Sequence, residues 1–389
     1  MRVLMITQRV DPGHDILGFV IRWIEALGRE VDHLDVIAQE TSRPAWQPSE
    51  PGISVFSMGK EAGHGKIRQG LRLQSLLARR SLGARRPDAI FCHMCPEYVV
   101  YVAPWARMAR VPIYLWYTHG TATPMLRRAY ALAERVFTAT AADFPIRDSR
   151  EDPGLGNGSD LGKDSKVVEL RHGIDTDAFP LASLPSSKSS AEGLTLLSVG
   201  RISPVKNHLC VVRGFARWLE RQAEPHRLFP GHRLCSGHRL RIVGAPPLEA
   251  HRATLDELKT EIERLGLKDR VELVGAVPYA QIYQELLKGD LLVSASETGS
   301  LDKVVLEAMA AGRPVITCNP ACGSELGEDA QRLMFKSGDV EDLARCLEDL
   351  GNRPQEELEA LGRCLAQGVR ERHDLMSFTR RLAAALRPA

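Results

Sequence analysis

Residues Leu291–Cys318 read LLVSASETGSLDKVVLEAMAAGRPVITC, and this stretch decides the fold. Leu291 to Ser294 is a short apolar run with strand character. Val304, Leu306 and Met309 follow at helical spacing. Gly312 suits a left-handed helix end, and Pro314 blocks continuation. Val315 to Cys318 is the next strand. The loop from Ala295 to Leu301 is therefore expected over strand ends, with the free amides of the helix start pointing into a cleft. Glu307 sits mid-helix among apolar neighbours, where a carboxylate needs a partner. Two ribose hydroxyls or a buried arginine would each serve.

The same alternation runs outward through the chain. In the first half, Val3 to Ile6, Leu34 to Ala38, Ile53 to Met58, Ala89 to Cys92, Ile113 to Tyr117 and Val136 to Thr140 read as strands. A polar loop through Asp11, Pro12, Gly13, His14 and Asp15 leads to Leu17, Val20, Ile24 and Leu27, a helix face that Gly28 is expected to end. In the second half, Leu194 to Val199, Leu240 to Val243 and Val271 to Val274 are strands, and the chain reads helical from about Asp339. Residues 149–165 are a loop rich in Ser, Gly, Asn, Asp and Pro, and 181–193 read as a linker. The expectation is an α/β protein of two Rossmann-like, doubly wound domains facing across a cleft. The domains are 1–180 and 194–368, with linker 181–193 and a helix at 369–389 returning to the first.

Composition narrows the function classes. The chain has 389 residues, 44% hydrophobic and 26% charged, ordinary for a globular protein with real cores. No stretch approaches the ~20 apolar residues of a membrane span. The apolar run after Arg2 is too short for a signal peptide and reads as a first strand. A formal charge of +2 argues against a nucleic-acid binder. Eight cysteines are too sparse for a disulfide scaffold, so free thiols and a cytoplasmic setting are expected. Cys92-His93-Met94-Cys95 has redox or metal spacing without a second pair to complete a site. Three His-Arg-Leu repeats at His226, His232 and His238, with Cys235, read as a solvated insertion rather than a zinc site.

A second junction carries charge. In Ser198–Asn207, SVGRISPVKN, Gly200 ends a strand, and Arg201 and Lys206 stand in the loop before a helix starting near His208. A helix N-terminus favours anions, and two added cations suit a diphosphate. Two solvated surface cations are the alternative.

The Gly-Arg-x-x-x-x-Lys loop, the Gly-x-Val turn at Gly275 to Val277, and Leu-Glu-Ala-Met-Ala-x-Gly-x-Pro-Val at 306–315 together resemble the retaining glycosyltransferases of family 4, which have the GT-B fold. Tyr117-Thr118-His119-Gly120 and His172-Gly173-Ile174-Asp175 agree. The resemblance implies that Arg201 and Lys206, beside Gly200, hold the donor diphosphate and that Glu307 binds the nucleotide ribose. It also implies that Gly299, Ser300, Leu301, Asp302 and Lys303 line the donor sugar, that Val277 lies against the base, and that His119 faces the reacting centre. The loop from Asp11 to Gly18, with Asp15, would meet donor phosphate or acceptor. Transfer with retention, no catalytic metal and no cofactor beyond a nucleotide-diphosphate sugar are implied too.

One departure stands out. The family commonly has Glu, seven residues, Glu, but eight positions before Glu307 lies Gly299, and Glu297 is two residues out of register. The Gly-Ser-Leu-Asp-Lys variant occurs in some bacterial relatives, where Asp302 or Lys303 is expected to replace the missing contact. Asp175-Thr176-Asp177 matches a metal-binding Asp-x-Asp, but its place after His-Gly-Ile reads as a structural turn. Asn157-Gly158-Ser159 is a glycosylation sequon expected to stay unmodified.

Residues 61–128 hold eleven Lys and Arg against three Asp and Glu, an excess of +8 hidden in the total. Within them, 66–86 reads as a basic amphipathic helix. Such a helix either lies on an anionic membrane surface or packs its apolar side on the core. The first option suits a lipid-linked or cell-surface glycan acceptor and a peripheral place on the inner face of the membrane; a small-molecule acceptor also fits. Nucleic acid is not expected as a partner. A nucleotide-sugar epimerase of the same fold and a two-domain sugar-binding protein are the competing classes.

Overall fold

In a computed structural model, the alternating segments assemble into two parallel sheets. It describes residues 1–81, 86–146, 166–184, 193–223 and 237–387. The loop at 149–165, the sequon at Asn157, linker residues 185–192, and His226, His232 and Cys235 lie outside the described residues. Contacts divide the chain into two units, one of residues 1–173, 278–280 and 373–389, the other of 174–277 and 281–372.

The first unit contains β1 (Arg2–Val10), α1 (Val20–Glu30), β2 (His33–Thr41), β3 (Ile53–Ser57), α2 (Lys66–Ser81), β4 (Ala89–His93), α3 (Pro96–Ala109), β5 (Ile113–Trp116), α4 (Pro124–Leu132), β6 (Arg135–Thr138) and β7 (Val167–Glu169). All seven strands are parallel, in the order β3-β2-β1-β4-β5-β6-β7. Fully buried strands such as β4 read as continuous apolar runs because helices cover both faces. Gly28 does not end α1, contrary to its expected cap role; the helix runs on to Glu30. A Cβ at Gly28 would lie 2.4 Å from Ile53 Cδ1, so the glycine serves close packing against β3. β7 closes the sheet edge and carries too few residues for periodicity to reveal it.

The second unit contains β8 (Thr195–Val199), α5 (His208–Ala223), β9 (Arg239–Val243), α6 (Arg252–Arg264), β10 (Val271–Gly275), α7 (Ile282–Leu287), β11 (Leu291–Ser294), α8 (Lys303–Ala310), β12 (Val315–Thr317), α9 (Gly323–Leu326), α10 (Ala330–Leu333), α11 (Val340–Gly351) and α12 (Gln355–His373). Its sheet is parallel, in the order β10-β9-β8-β11-β12. The order reverses between β8 and β11, so the loops leaving these two strands diverge and leave a crevice at their carboxyl ends. Residues 181–184 lie on this unit: buried Arg313 donates twice to the Ser183 carbonyl at 3.1 Å. Finally α13 (Leu375–Ala385) belongs to the first unit, where Phe378 meets Trp23 of α1 with ring centroids 4.3 Å apart. No described helix is long and apolar enough to cross a membrane.

Candidate active site

In the second unit, three neighbouring strands end in the same way. Val199-Gly200, Val243-Gly244 and Val274-Gly275 finish β8, β9 and β10, and all three glycines have positive φ. The chain turns sharply there, which only a residue without Cβ does at low cost. Gly200 N donates to Val243 O at 2.9 Å and Gly244 N to Gly275 O at 2.8 Å, so the three turns brace one another. Gly244 was not singled out from sequence; the repeated Val-Gly strand ending was the available signal.

The turn after β8 leads into α5. His208, buried at the start of α5, joins its Nδ1 to Ser198 Oγ at 3.0 Å and its Nε2 to the Gly200 carbonyl at 3.3 Å. Burial pushes this imidazole down to about 4, so it is neutral at physiological pH and braces the turn without adding charge. Arg201 is exposed and makes no ion pair among the described residues. Lys206 ends a single 3₁₀ turn, Pro204–Lys206, and points inward.

The loop after β11 meets this turn. Glu297 N donates to Val205 O at 2.9 Å, and Asn207 Nδ2 to Glu297 Oε1 at 3.3 Å. Glu297 also accepts from Ser337 at 2.7 Å, so the out-of-register carboxylate is a surface brace. Asn319 Nδ2 donates to the Ser300 carbonyl at 2.7 Å and holds the Gly299–Leu301 bend, where Gly299 has φ +64°. Leu301 is buried; Gly299 is exposed.

Asp302 is the N-cap of α8, yet its side chain makes no cap hydrogen bond. Both its carboxylate oxygens accept from Lys206 Nζ at 2.9 Å, and Ser294 Oγ donates to Oδ2 at 3.2 Å. Lys206 also donates to Ser296 Oγ at 3.2 Å. Asp302 is 8% exposed. Burial pushes its carboxyl up, but the Lys206 ammonium and the two serine hydroxyls outweigh it and hold the group below the ordinary carboxylate value.

One residue on, Lys303 Nζ donates to Glu307 Oε1, its i+4 neighbour. Burial lowers the Lys303 ammonium's pKa, and the Glu307 and Asp175 carboxylates oppose that shift. Glu307 is 3% exposed. Of the two partners weighed for it, ribose hydroxyls or a buried arginine, the second is replaced here by a lysine one turn earlier, a pairing available within the helix itself. Val277, half-buried, follows the Gly275 turn. Asp175 accepts from Ala178 N at 3.3 Å as a turn residue. Among the described residues no cluster of His, Cys, Asp and Glu has the make-up of a metal site.

The first unit brings other residues together. Its strand order reverses between β1 and β4. The loop after β1 is tightly made: His14 Nδ1 accepts from Ile16 N and Leu17 N at 3.1 and 3.0 Å, and Gly18 N donates to His14 O at 3.1 Å. Gly18 is buried, and a Cβ there would sit 2.6 Å from that carbonyl. Asp15 is exposed on the same loop. His93 ends β4, with Nδ1 3.1 Å from Thr7 Oγ1 of β1; burial pushes it down to about 3. It is therefore a neutral core imidazole. Cys92 and Cys95 beside it are buried free thiols, Cys95 pushed up by burial to about 12. His119, after β5, is exposed and lies edge-on to Tyr117 with centroids 5.5 Å apart.

Residues 183–363 match the family Glycosyl transferases group 1. The chain is 26% identical over 189 residues to mannosylfructose-phosphate synthase from Agrobacterium fabrum, covering 48% of this chain and 38% of that protein. It is 30% identical over 158 residues to D-inositol 3-phosphate glycosyltransferase from Kineococcus radiotolerans, covering 39% and 34%. The matches thus span little more than a third of either relative. Among solved structures, Anabaena HepE in complex with UDP and glucose superposes with a TM-score of 0.70 at 18% identity, covering 99% of both chains. That likeness establishes the GT-B fold.

Proposed function

Starting from a chain whose residues 183–363 match the group 1 glycosyl transferases, we propose that the protein moves a sugar from a nucleotide-diphosphate sugar to a hydroxyl acceptor. Transfer proceeds with retention and without metal, in cell-surface glycan or glycolipid synthesis. The observation carrying this reading is the junction of the β8 and β11 loops. There Arg201 and Lys206 stand in the loop that leaves β8, and Lys206 reaches the start of α8, where the N-cap side chain makes no cap hydrogen bond. Glycosyl transfer develops negative charge on the departing diphosphate, which fixed cations and helix amides stabilise without reorganising. Arg201 offers a planar fork of donors to phosphate oxygens and Lys206 a point charge. Glu307 accepts from the ribose hydroxyls while Lys303 holds it in place.

HepE was solved with UDP, so uridine diphosphate heads the nucleotides to test. A nucleoside diphosphate at about 100 times its Kd stabilises by about 2.7 kcal/mol. For a unit of this size that raises Tm by roughly 5–10 °C. A thermal-shift panel of uridine, guanosine, adenosine and cytidine diphosphates is expected to show one such shift. A flat response to all four would overturn the reading.

The acceptor side follows from α2. Gln69, Leu73 and Leu77 face inward, whereas Ile67 is 83% and Leu71 68% exposed. Exposed Lys66, Arg68, Arg72 and Arg79 surround them, and the neighbouring α3 adds exposed Tyr101, Arg107 and Met108. Apolar side chains ringed by cations suit an anionic bilayer surface, where each cation contributes about 1 kcal/mol and each apolar side chain inserts. A lipid-linked acceptor is the reading this surface supports. Co-sedimentation with vesicles containing phosphatidylglycerol is expected to exceed that with neutral vesicles by at least about tenfold and to weaken in salt. It is expected to fall in an Ile67→Asp/Leu71→Asp variant. Binding indifferent to anionic lipid would sink the membrane assignment.

A further inference from the structure

Asp302 and Lys303 are adjacent and of opposite sign, and each takes one charged residue of the candidate donor site. Asp302 gives Lys206 a carboxylate; Lys303 gives Glu307 an ammonium. The Lys206–Asp302 pair joins loops 96 positions apart, with side-chain exposures of only 12% and 9%. Asp302 forgoes the cap bond an N-cap aspartate ordinarily makes with its own helix. Ser294 and Ser296 fill the remaining hydrogen-bond positions of the pair. A buried pair of this kind is a poor source of stability, since desolvation offsets its Coulomb gain. What it does supply is a fixed position for a flexible four-carbon cation.

We propose that Asp302 is a positioning residue for the transfer reaction, acting through Lys206. It holds the ammonium at the strand ends before the donor arrives and keeps its charge matched until the leaving diphosphate develops more. The inference rests on the transferase reading above. Physically, Asp302 competes with the ground-state diphosphate for Lys206, which weakens nucleotide binding. In the transition state the diphosphate carries more charge and wins that competition, so the interaction is concentrated where it raises kcat. Lys303 gives Glu307 a matching restraint on the next turn.

The test separates binding from turnover in Asp302→Asn, which keeps shape and one hydrogen bond but removes the counter-charge. Nucleoside-diphosphate affinity is expected to tighten about threefold to tenfold while kcat falls about tenfold or more. Asp302→Glu, which restores the charge, is expected to recover part of kcat. A parallel loss of affinity and kcat, or no change in either, would overturn the proposal, because a merely structural role moves both together. If Asp302→Asn does not fold, Ser294→Ala removes one hydrogen bond to the same carboxylate and leaves both charges. It is expected to lower kcat about twofold to fivefold without weakening nucleotide binding; no effect there refutes the idea. Absence of nucleotide binding in the wild-type protein would instead strike the transferase reading itself.

Discussion

Lys206→Ala and Arg201→Ala are each expected to lose turnover by about a hundredfold or more, and only Lys206→Ala is expected to lose melting temperature as well. On the proposed reading each substitution removes a charge-assisted contact to the diphosphate, worth about 1.5–3 kcal/mol in the ground state and more as charge develops. The two cations differ in their surroundings. Arg201 is exposed and forms no ion pair among the described residues, so its loss leaves the folded protein intact. Lys206 is the counter-ion of buried Asp302. Removing it strands a carboxylate out of water, at a cost of about 3–5 kcal/mol. That corresponds to a Tm drop of roughly 10 °C in a unit of this size.

The pH dependence of that gap follows from the direction of the Asp302 shift. Burial pushes the carboxyl up, but Lys206 and the serines hold it below 3.8 in the folded state. The pair's contribution is therefore present above that value and lost as pH falls through the lower folded-state value. Without Lys206 the upward push of burial is opposed only by the two serine hydroxyls, so Asp302 takes its proton at higher pH and stops being a buried charge. The Tm difference between wild type and Lys206→Ala should narrow on acidification. Melting curves across pH, with turnover measured beside them, check both parts. Near-wild-type activity in either variant would remove the diphosphate role of that residue.

Gly244→Ala is expected to be the most damaging single methyl group in the second unit. A Cβ at this position would lie 1.9 Å from the Gly200 carbonyl oxygen, with φ at +147°. The obstacle is backbone, so relief requires moving the Gly200-Arg201 turn. That turn is tied by Gly200 N to Val243 O, by Ile202 N to Ala245 O and by His208 to the Gly200 carbonyl. Overpacking and backbone strain together cost about 2–5 kcal/mol. Nucleotide affinity is expected to fall by at least about tenfold, since the displaced turn carries Arg201. Gly266→Ala is the control: φ is +68°, but nothing lies within 4 Å of its Cβ. It should cost only about 1 kcal/mol and leave nucleotide binding untouched. Equal behaviour of the two variants in a nucleotide titration would show that the clash with Gly200 does not matter.

Much of the fold was legible because its signals are local. Apolar runs and helical periods marked most strands and helices, and Gly312 and Pro314 marked the end of α8. Three-residue β7 was missed because so short a run has no period. Gly28 misled for a related reason. A glycine near a helix end has two uses, capping and close packing, and only the position of Ile53 on β3 decides between them. The site was legible in composition but not in its pairing. Arg201, Lys206, Asp302, Lys303 and Glu307 could all be singled out along the chain. Nothing local said that Asp302 would turn from its own helix to a lysine 96 residues away. Likewise the +8 region was countable, but which face of α2 it covers depended on the packing that buries Leu73 and Leu77 and leaves Ile67 and Leu71 exposed.

The sequence by itself determined the order of most strands and helices, the left-handed end of α8 at Gly312 and the loops at strand ends that carry the charged residues. Backbone preference, turn chemistry and hydrophobic period act between residues a few positions apart. Only the tertiary structure decided which charge faces which, which imidazoles are neutral and which apolar side chains stay in water. Coulomb energy and desolvation depend on distance and depth in the assembled unit, and neither is a function of separation along the chain.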